Sequence, residues 1–202
     1  MTIRCESNVW EDYVAETEHV DFSHPAIQEL SSLLYTASLD ETDFVKHAYE
    51  YVRDRISHSW DIRSTRITCK ASEVLRDQEG ICYAKSNLLC ALLRSKGIPA
   101  GFCYQRLTLG DTPDTGHCVH ALNAVYLTSI GRWVRLDARG NKIGIDAQFS
   151  VSEEKLAFPV RPAYDEIDYP LIHSLPHPKT IEALQQHTNC ITMCLNGLPS
   201  AL

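Results

Sequence analysis

The sequence has 202 residues, of which 44% are hydrophobic and 22% charged, a composition typical of a globular protein and not of a long disordered chain. Its 19 lysines and arginines are outnumbered by 26 aspartates and glutamates, which argues against a nucleic-acid-binding protein because phosphates are neutralised by clustered cations. No apolar stretch reaches the length of a membrane span, and the N-terminal residues resemble no signal peptide. We therefore expect a soluble, cytoplasmic protein with no nucleic-acid and no membrane partner.

The first part of the chain predicts helices after a lead-in. Residues 1–22 carry no period and are expected to be extended or strand-like. Ser23 is a candidate N-cap, with Pro25 in the first turn, for a helix with apolar residues at helical spacing. Asp40 is a candidate cap for a second amphipathic helix that runs to about Ile56.

Two further helices are predicted before the composition changes. A short one lies near residues 72–77, and a longer one begins at Cys82, just after Gly80. Its apolar run at 88–93 predicts burial on more than one side, and Gly97 is a natural C-terminal stop.

The rest of the chain predicts a small antiparallel sheet followed by an extension. Strands are expected at 100–109, 119–127 and 132–137, with hairpin-like connections at 111–116 and 128–131. Helices followed by such a meander indicate an α+β fold. We expect one domain over residues 1–202, with a core at about 23–150 and a C-terminal extension at about 151–202. The extension is predicted to hold short helices near 152–156 and 180–187, with a Pro-rich stretch between them.

Eight cysteines are the unusual feature of the composition. They are scattered without a CxxC pair, at Cys5, Cys69, Cys82, Cys90, Cys103, Cys118, Cys190 and Cys194. That pattern excludes a thioredoxin-like motif and an ordinary zinc ribbon, and it favours free thiols that are mostly buried.

Cys82 is the candidate nucleophile among them. The reactive form of a cysteine is the thiolate, and the N-terminus of a helix favours an anion through its dipole and its unpaired N–H groups. Cys90 lies in mid-helix among leucines and Cys103 within a strand pattern, so neither has that advantage. The alternative for Cys82 is a buried thiol without chemistry.

His120 and Asp137 are the candidate base and its orienting partner. Strand alternation places His120 on one face of its strand, and an adjacent strand ending at Asp137 could bring the carboxylate to the imidazole ring. His117 is a rival base, on the opposite face. The alternative for Asp137 is an ion pair with Arg135 or Arg139.

The sequence around these residues resembles the transglutaminase-like superfamily. The matching segments are EGICYAKSNLLCALLRSKGIPAGF (79–102), HALNAVYL (120–127) and RWVRLDARGN (132–141), and AYEYVRDRISHSWDI (48–62) is similar to the helix and strand that precede the family's core. The resemblance implies a papain-like α+β core in which the nucleophile helix packs on an antiparallel sheet. It also implies a catalytic triad of Cys82, His120 and Asp137.

Departures from the family pattern concern the cleft. His58 stands where many relatives have Tyr, and Leu122 and Ala124 replace residues often seen on the histidine strand. His58, Trp60 and Tyr83 are therefore candidates for an oxyanion donor or a cleft wall, with ordinary core packing as the alternative for Trp60. The sequence shows no calcium-loop pattern, which argues against calcium-dependent crosslinking.

The implied activity is cysteine-dependent acyl transfer through a thioester, with a peptide, protein or small amide as substrate. Hydrolysis by a cysteine protease or amidase is favoured over transfer to an amine, and an inactive binding module of the same fold is the alternative from another class. No cofactor is expected. No metal is expected either, because His187, Cys190 and Cys194 leave zinc one ligand short. Arg135, Arg139 and Lys142 form a basic cluster, which is either a solvated face or a contact for an acidic substrate group.

Overall fold

The computed structural model describes residues 3–110 and 112–202. Residues 1 and 2 of the predicted lead-in and Asp111 of the predicted 111–116 connection lie outside that part of the chain. The lead-in contains a short strand, β1 (Arg4–Cys5), and one 3₁₀ turn (Trp10–Tyr13). Within the described residues, none of the helices combines the length and the apolar character needed to cross a bilayer.

The helices of the first half lie close to their predicted positions. They are α1 (Pro25–Thr36), α2 (Glu41–Arg55), α3 (Ala71–Asp77) and α4 (Cys82–Arg94). Asp40 caps α2, as predicted, by accepting a hydrogen bond from the Asp43 amide at 2.8 Å. The prediction of Ser23 as the α1 cap is wrong. Because Pro25 is already the first helical residue, His24 holds the cap position, and its Nδ1 accepts from the Ala26 amide at 3.3 Å.

Helix α4 is the centre of the fold. Every residue from Tyr83 to Arg94 is buried, which confirms the prediction of burial on more than one side. Helices α1, α2 and α3 pack around it, and the main sheet covers another side. Two short parallel strands, β2 (Ser57–His58) and β3 (Glu79–Gly80), place His58 directly beside Gly80, two residues before Cys82.

The main sheet has the strand order β6–β5–β4–β7 and is antiparallel throughout. Its strands are β4 (Ala100–Thr108), β5 (His117–Leu127), β6 (Arg132–Leu136) and β7 (Ile167–Asp168). Ala124 of β5 pairs with Arg135 of β6, and Val125 pairs with Val134. The adjacency assumed from the sequence is therefore present. One face of the sheet packs on α4, and a smaller apolar cluster that includes Leu122, Ala124 and Tyr13 covers the other.

The C-terminal extension runs over the sheet and returns to the helices. It contributes β7 and β8 (Leu171–Ile172), of which β8 pairs with β1, and the helices α5 (Pro178–Gln186) and α6 (Cys190–Asn196). The predicted helix at 152–156 is wrong. Tertiary contacts override its local preference, because the Ala157 amide donates to Asp137 and the Glu154 carboxylate pairs with Arg135.

Candidate active site

Cys82 is the first residue of α4, at the junction with β3. Its side chain is half-buried, whereas the residues that follow it in the helix are fully buried. The first turn of a helix has N–H groups without intrahelical partners and carries the positive end of the helix dipole. The thiol therefore sits where an anion, either a thiolate or a substrate oxyanion, is stabilised by the main chain.

The His120 ring is held by Asp137 and lies within electrostatic reach of Cys82. Its Nε2 lies 2.8 Å from Asp137 Oδ2, and both side chains raise the pKa of the ring. Since Asp137 engages Nε2, Nδ1 is the ring nitrogen that remains for a thiol. The pairing register brings the two residues near each other: β6 ends at Leu136, opposite Asn123, so the chain enters Asp137 beside the part of β5 that carries His120.

Main-chain groups fix the Asp137 carboxylate. Its Oδ1 accepts from the Arg139 amide at 3.2 Å, and its Oδ2 accepts from the Ala157 amide at 3.1 Å in addition to His120. Asp137 is 1% exposed and His120 is 5% exposed, so the pair is shielded from bulk water. The orientation of the ring is thus determined by buried hydrogen bonds and not by packing alone.

The electrostatics favour an imidazolium–carboxylate pair. Burial alone disfavours the charged ring, but the negative charges of Asp137 and Cys82 outweigh it and raise the pKa of His120 to about 10. Burial likewise opposes ionisation of Asp137, but the charge and hydrogen bond of His120 and the two amide donors keep its pKa below the ordinary value. The ring is therefore a proton donor at neutral pH.

His117 and Arg135, the alternative partners suggested by the sequence, form other contacts. His117 Nε2 lies 2.8 Å from the Tyr164 carbonyl oxygen. The Arg135 guanidinium pairs with Glu154 and Asp168, at 2.6 Å each.

The predicted basic cluster is therefore divided. Asp61 holds both Arg139, at 2.5 Å, and Lys142, at 2.6 Å. Burial opposes ionisation of Asp61, but these two donors lower its pKa to about 2. A single carboxylate thus pairs with both Arg139 and Lys142.

The three cleft candidates lie in different environments. Tyr83 is buried, and its hydroxyl donates to the Val119 carbonyl at 2.6 Å, next to His120. Trp60 is half-buried, with the Arg63 guanidinium 5.7 Å from its ring centre. His58 is half-buried beside β3, and its Nδ1 is buried without a hydrogen-bond partner among the described residues.

His58 is the cleft candidate with the strongest electrostatic perturbation. Burial, followed by the positive charge of Arg139, holds its pKa well below the ordinary value. The ring is therefore neutral near pH 7 and can donate a hydrogen bond without carrying a charge.

Two neighbours of the site were not found from the sequence. The Phe158 ring contacts His120 edge-on at 5.1 Å and faces the Arg139 guanidinium at 6.0 Å. Phe158 belongs to the Pro-rich stretch, where no hydrophobic periodicity indicates which side chains are buried. Lys85 lies one turn after Cys82 and is 1% exposed, and its only signal is a cation within an apolar helix.

The two C-terminal cysteines form a thiol pair. Cys190 Sγ and Cys194 Sγ are 3.9 Å apart, and His187 Nδ1 instead meets the Ala183 carbonyl at 2.9 Å. Across residues 3–110 and 112–202, no group of three or more His, Cys, Asp or Glu side chains is arranged to hold a metal ion.

Comparison with known proteins assigns the sequence to one family. The family model described as "Transglutaminase-like superfamily" matches residues 29–138, which include Cys82, His120 and Asp137. No curated protein sequence matches the chain.

Of three similar solved structures, the first shows the same fold. A putative cysteine protease from Cytophaga hutchinsonii superposes with a TM-score of 0.53 at 18% identity, over 66% of this chain and 43% of that one. The periplasmic domain of TgpA from Pseudomonas aeruginosa gives 0.47 at 14% identity, over 64% and 46%. A TGase gives 0.41 at 21% identity, over 66% and 35%. The chain thus matches less than half the length of each of these structures.

Proposed function

Because the chain belongs to the transglutaminase-like superfamily, we propose that it is a cysteine-dependent acyl-transfer enzyme. Cys82 is the proposed nucleophile, His120 the general acid and base, and Asp137 the residue that orients the ring. The observation that carries this proposal is the buried His120 ring, whose Nε2 hydrogen-bonds Asp137 and whose pKa is raised by Asp137 and Cys82 together. Separate elements, α4, β5 and the end of β6, supply the three side chains.

The proposed reaction begins with the thiolate of Cys82 attacking the carbonyl carbon of an amide, which forms an S–C bond and a tetrahedral oxyanion. His120 donates its proton to the leaving nitrogen as the C–N bond breaks, and a thioester remains on Cys82. Neutral His120 then removes a proton from the second nucleophile, which attacks the thioester and releases the acyl product and the thiolate. Free N–H groups in the first turn of α4 are the proposed oxyanion donors, with His58 beside them.

We propose water as the second nucleophile and a peptide, protein or small amide as the substrate. An amine acceptor needs a binding site of its own, whereas water does not. Hydrolysis therefore requires no further site beyond the three proposed catalytic residues and a site for the amide substrate. Transfer to a primary amine uses the same three side chains and is the alternative reaction. Asp61 already pairs with Arg139 and Lys142, which argues against an acidic substrate group that would bind these two cations.

A first test asks whether Cys82 is chemically special. We expect a low dose of iodoacetamide at pH 6 to alkylate Cys82 before three other half-buried thiols, Cys5, Cys69 and Cys118, as read by peptide mass spectrometry. These three cysteines are internal controls of similar exposure. Slow, uniform labelling of all four would favour an inactive module of the same fold.

A second test identifies the reaction. The full chain is incubated with amide, peptide and glutaminyl substrates, with and without a primary amine, and the products are identified by mass spectrometry. Free acid and released amine in both arms support hydrolysis. A new amide formed from the added amine would replace hydrolysis with transfer.

A further inference from the structure

Lys85 is a buried cation one helical turn after the nucleophile. Its side chain is 1% exposed, and its Nζ donates to the carbonyl oxygens of Ile56 at 2.5 Å and Arg53 at 3.4 Å. These carbonyls belong to the C-terminal end of α2, where the helix dipole is negative. In the part of the chain that the structure describes, both hydrogen-bond partners of this ammonium are main-chain carbonyls.

The loop that follows Asp137 rests against the same ammonium. Gly140 has φ +111°, which disfavours any other residue, and a Cβ built there would lie 3.4 Å from Lys85 Nζ and 3.3 Å from the Arg53 carbonyl oxygen. Three segments therefore meet at one nitrogen atom: the end of α2, the first turn of α4, and the loop that begins at Asp137.

Packing alone does not require a lysine in this position. Burying an ammonium costs free energy, and an apolar side chain of similar volume is often as stable or more stable. Burial and the positive charge of Arg139 lower the pKa of Lys85 to about 7, against the opposing effect of nearby carboxylates. The charge of Lys85 is therefore lost within the range in which enzymes usually work.

The charged and titratable groups that interact with Lys85 come from several of the segments packed against it. They are Asp54 of α2, His58 of β2, Asp61 of the segment after β2, and Asp137 and Arg139 of the loop after β6. Asp137 is the one that also holds His120.

We propose that Lys85 is a positioning residue: its ammonium holds the loop that carries Asp137 against the first turn of the nucleophile helix, and so keeps the carboxylate aimed at His120. This inference rests on the proposed function of the same site. A protonated Lys85 attracts both the α2 carbonyls and Asp137, and a neutral amine loses that attraction. Since the His120 imidazolium persists to about pH 10, the loss of positioning comes first as the pH rises.

The test measures the rate of Cys82 alkylation by iodoacetamide between pH 5 and 10 in the full chain. The wild type is expected to show an inflection near pH 7, where Lys85 loses its charge. Lys85→Arg, which stays charged, is expected to remove the inflection and keep the rate seen below it. Lys85→Met is expected to remove the inflection and lower the rate at pH 6 on the order of tenfold, because a small displacement of catalytic groups has effects of at least this size.

Arg94→Met is the matched control. Arg94 is a second buried cation of α4 that donates to main-chain carbonyls, of Ala15, Ala100 and Ser174, but it lies at the other end of the helix from Cys82. This variant is expected to lower the melting temperature and to keep the inflection, because its role is structural. Loss of the inflection in Arg94→Met would assign the effect to helix stability and overturn the inference.

Two other outcomes also overturn it. The first is a pH profile of Lys85→Met that matches that of the wild type. The second is a wild-type profile without an inflection near pH 7. The second outcome overturns the inference even if both Lys85 variants fail to fold. Failure of the proposed function gives a different result: Cys82 then reacts no faster than Cys5 or Cys69 at any pH, whatever residue occupies position 85.

Discussion

The two halves of the candidate site are held by different forces. Cys82 is presented by α4, whose residues are buried from Tyr83 to Arg94, so the nucleophile is positioned by apolar packing on several sides. His120 and Asp137 are presented at the end of the β5–β6 pairing, where the chain continues as an irregular segment held by individual polar contacts. The position of a packed helix is stabilised by many contacts, so no single contact determines it. The position of a loop held by a few hydrogen bonds depends on each of them. We therefore expect conservative changes in the loop to disturb geometry more than comparable changes around α4.

The largest effect is expected from Cys82→Ala. Turnover is expected to disappear, while the free energy of unfolding changes by about 1 kcal/mol or less, because a half-buried side chain at a helix start contributes little packing. Turnover of an amide substrate and thermal unfolding measure the two quantities. His120→Ala is expected to remove turnover as well. Wild-type turnover in Cys82→Ala would contradict the assignment of the nucleophile.

Asp137→Asn tests the pinned half of the site. Turnover is expected to fall by roughly 10² to 10⁴, because an amide in place of the carboxylate no longer stabilises the imidazolium. The pKa of His120 should drop from about 10 towards its ordinary value. Proton NMR of the ring follows this titration directly. An unchanged titration in the variant would show that Asp137 is not the source of the shift.

The same variant has a signed effect on stability. A histidine whose pKa is raised by folding stabilises the native state below its unfolded pKa, and that contribution is lost as the pH rises through the folded value. For His120 the contribution is full below about pH 6.5 and decays towards pH 10. The advantage of the wild type over Asp137→Asn, measured by denaturant unfolding, is therefore expected to shrink across that interval. An advantage that grows with pH would contradict the assignment.

Arg139→Met removes side-chain contacts of the loop that follows Asp137 and leaves the three proposed catalytic residues unchanged. It breaks the pair with Asp61, whose side chain is 22% exposed, and the contact with the Phe158 ring. We expect a loss of about 1–3 kcal/mol in the free energy of unfolding, because the buried Arg139 side chain loses its charged hydrogen bonds to Asp61, which keeps its pair with Lys142. Turnover should fall less than in Asp137→Asn.

Arg106→Met is the control for that change. Arg106 pairs with Asp165, which is 75% exposed, so a smaller loss of stability is expected. Equal losses in the two variants would show that the contacts of Arg139 are no more important than a surface pair.

The sequence predicts the three proposed catalytic side chains from short-range patterns together with the resemblance of the surrounding segments to one family. A glycine before a helix start marks Cys82, and strand alternation with a hairpin connection brings His120 and Asp137 together. Phe158 depends instead on an irregular segment crossing the sheet, and the failed helix at 152–156 shows how tertiary hydrogen bonds override local preference there. Lys85 was missed for a related reason: its carbonyl partners lie on α2, far away in the sequence.

The smallest effect is expected from Tyr83→Phe, which distinguishes support of the strand from a role in the cleft. The Tyr83 hydroxyl donates to the Val119 carbonyl, and burial raises the pKa of the phenol well above its ordinary value, so the group is a neutral donor. Losing this bond leaves a buried carbonyl unpaired at about 1–2 kcal/mol, while turnover should change by less than about threefold. Tyr35→Phe, at a side chain 53% exposed, is the control and is expected to match the wild type.

The opposite result at Tyr83 would also be informative. If Tyr83→Phe kept its stability and lost most of its turnover, its hydroxyl would be serving the oxyanion and not the strand. The packed half of the site would then contribute a catalytic hydrogen bond, as the pinned half does. Measuring both the free energy of unfolding and the turnover of Tyr83→Phe therefore decides whether α4 only positions Cys82 or also supplies a hydrogen bond to the substrate.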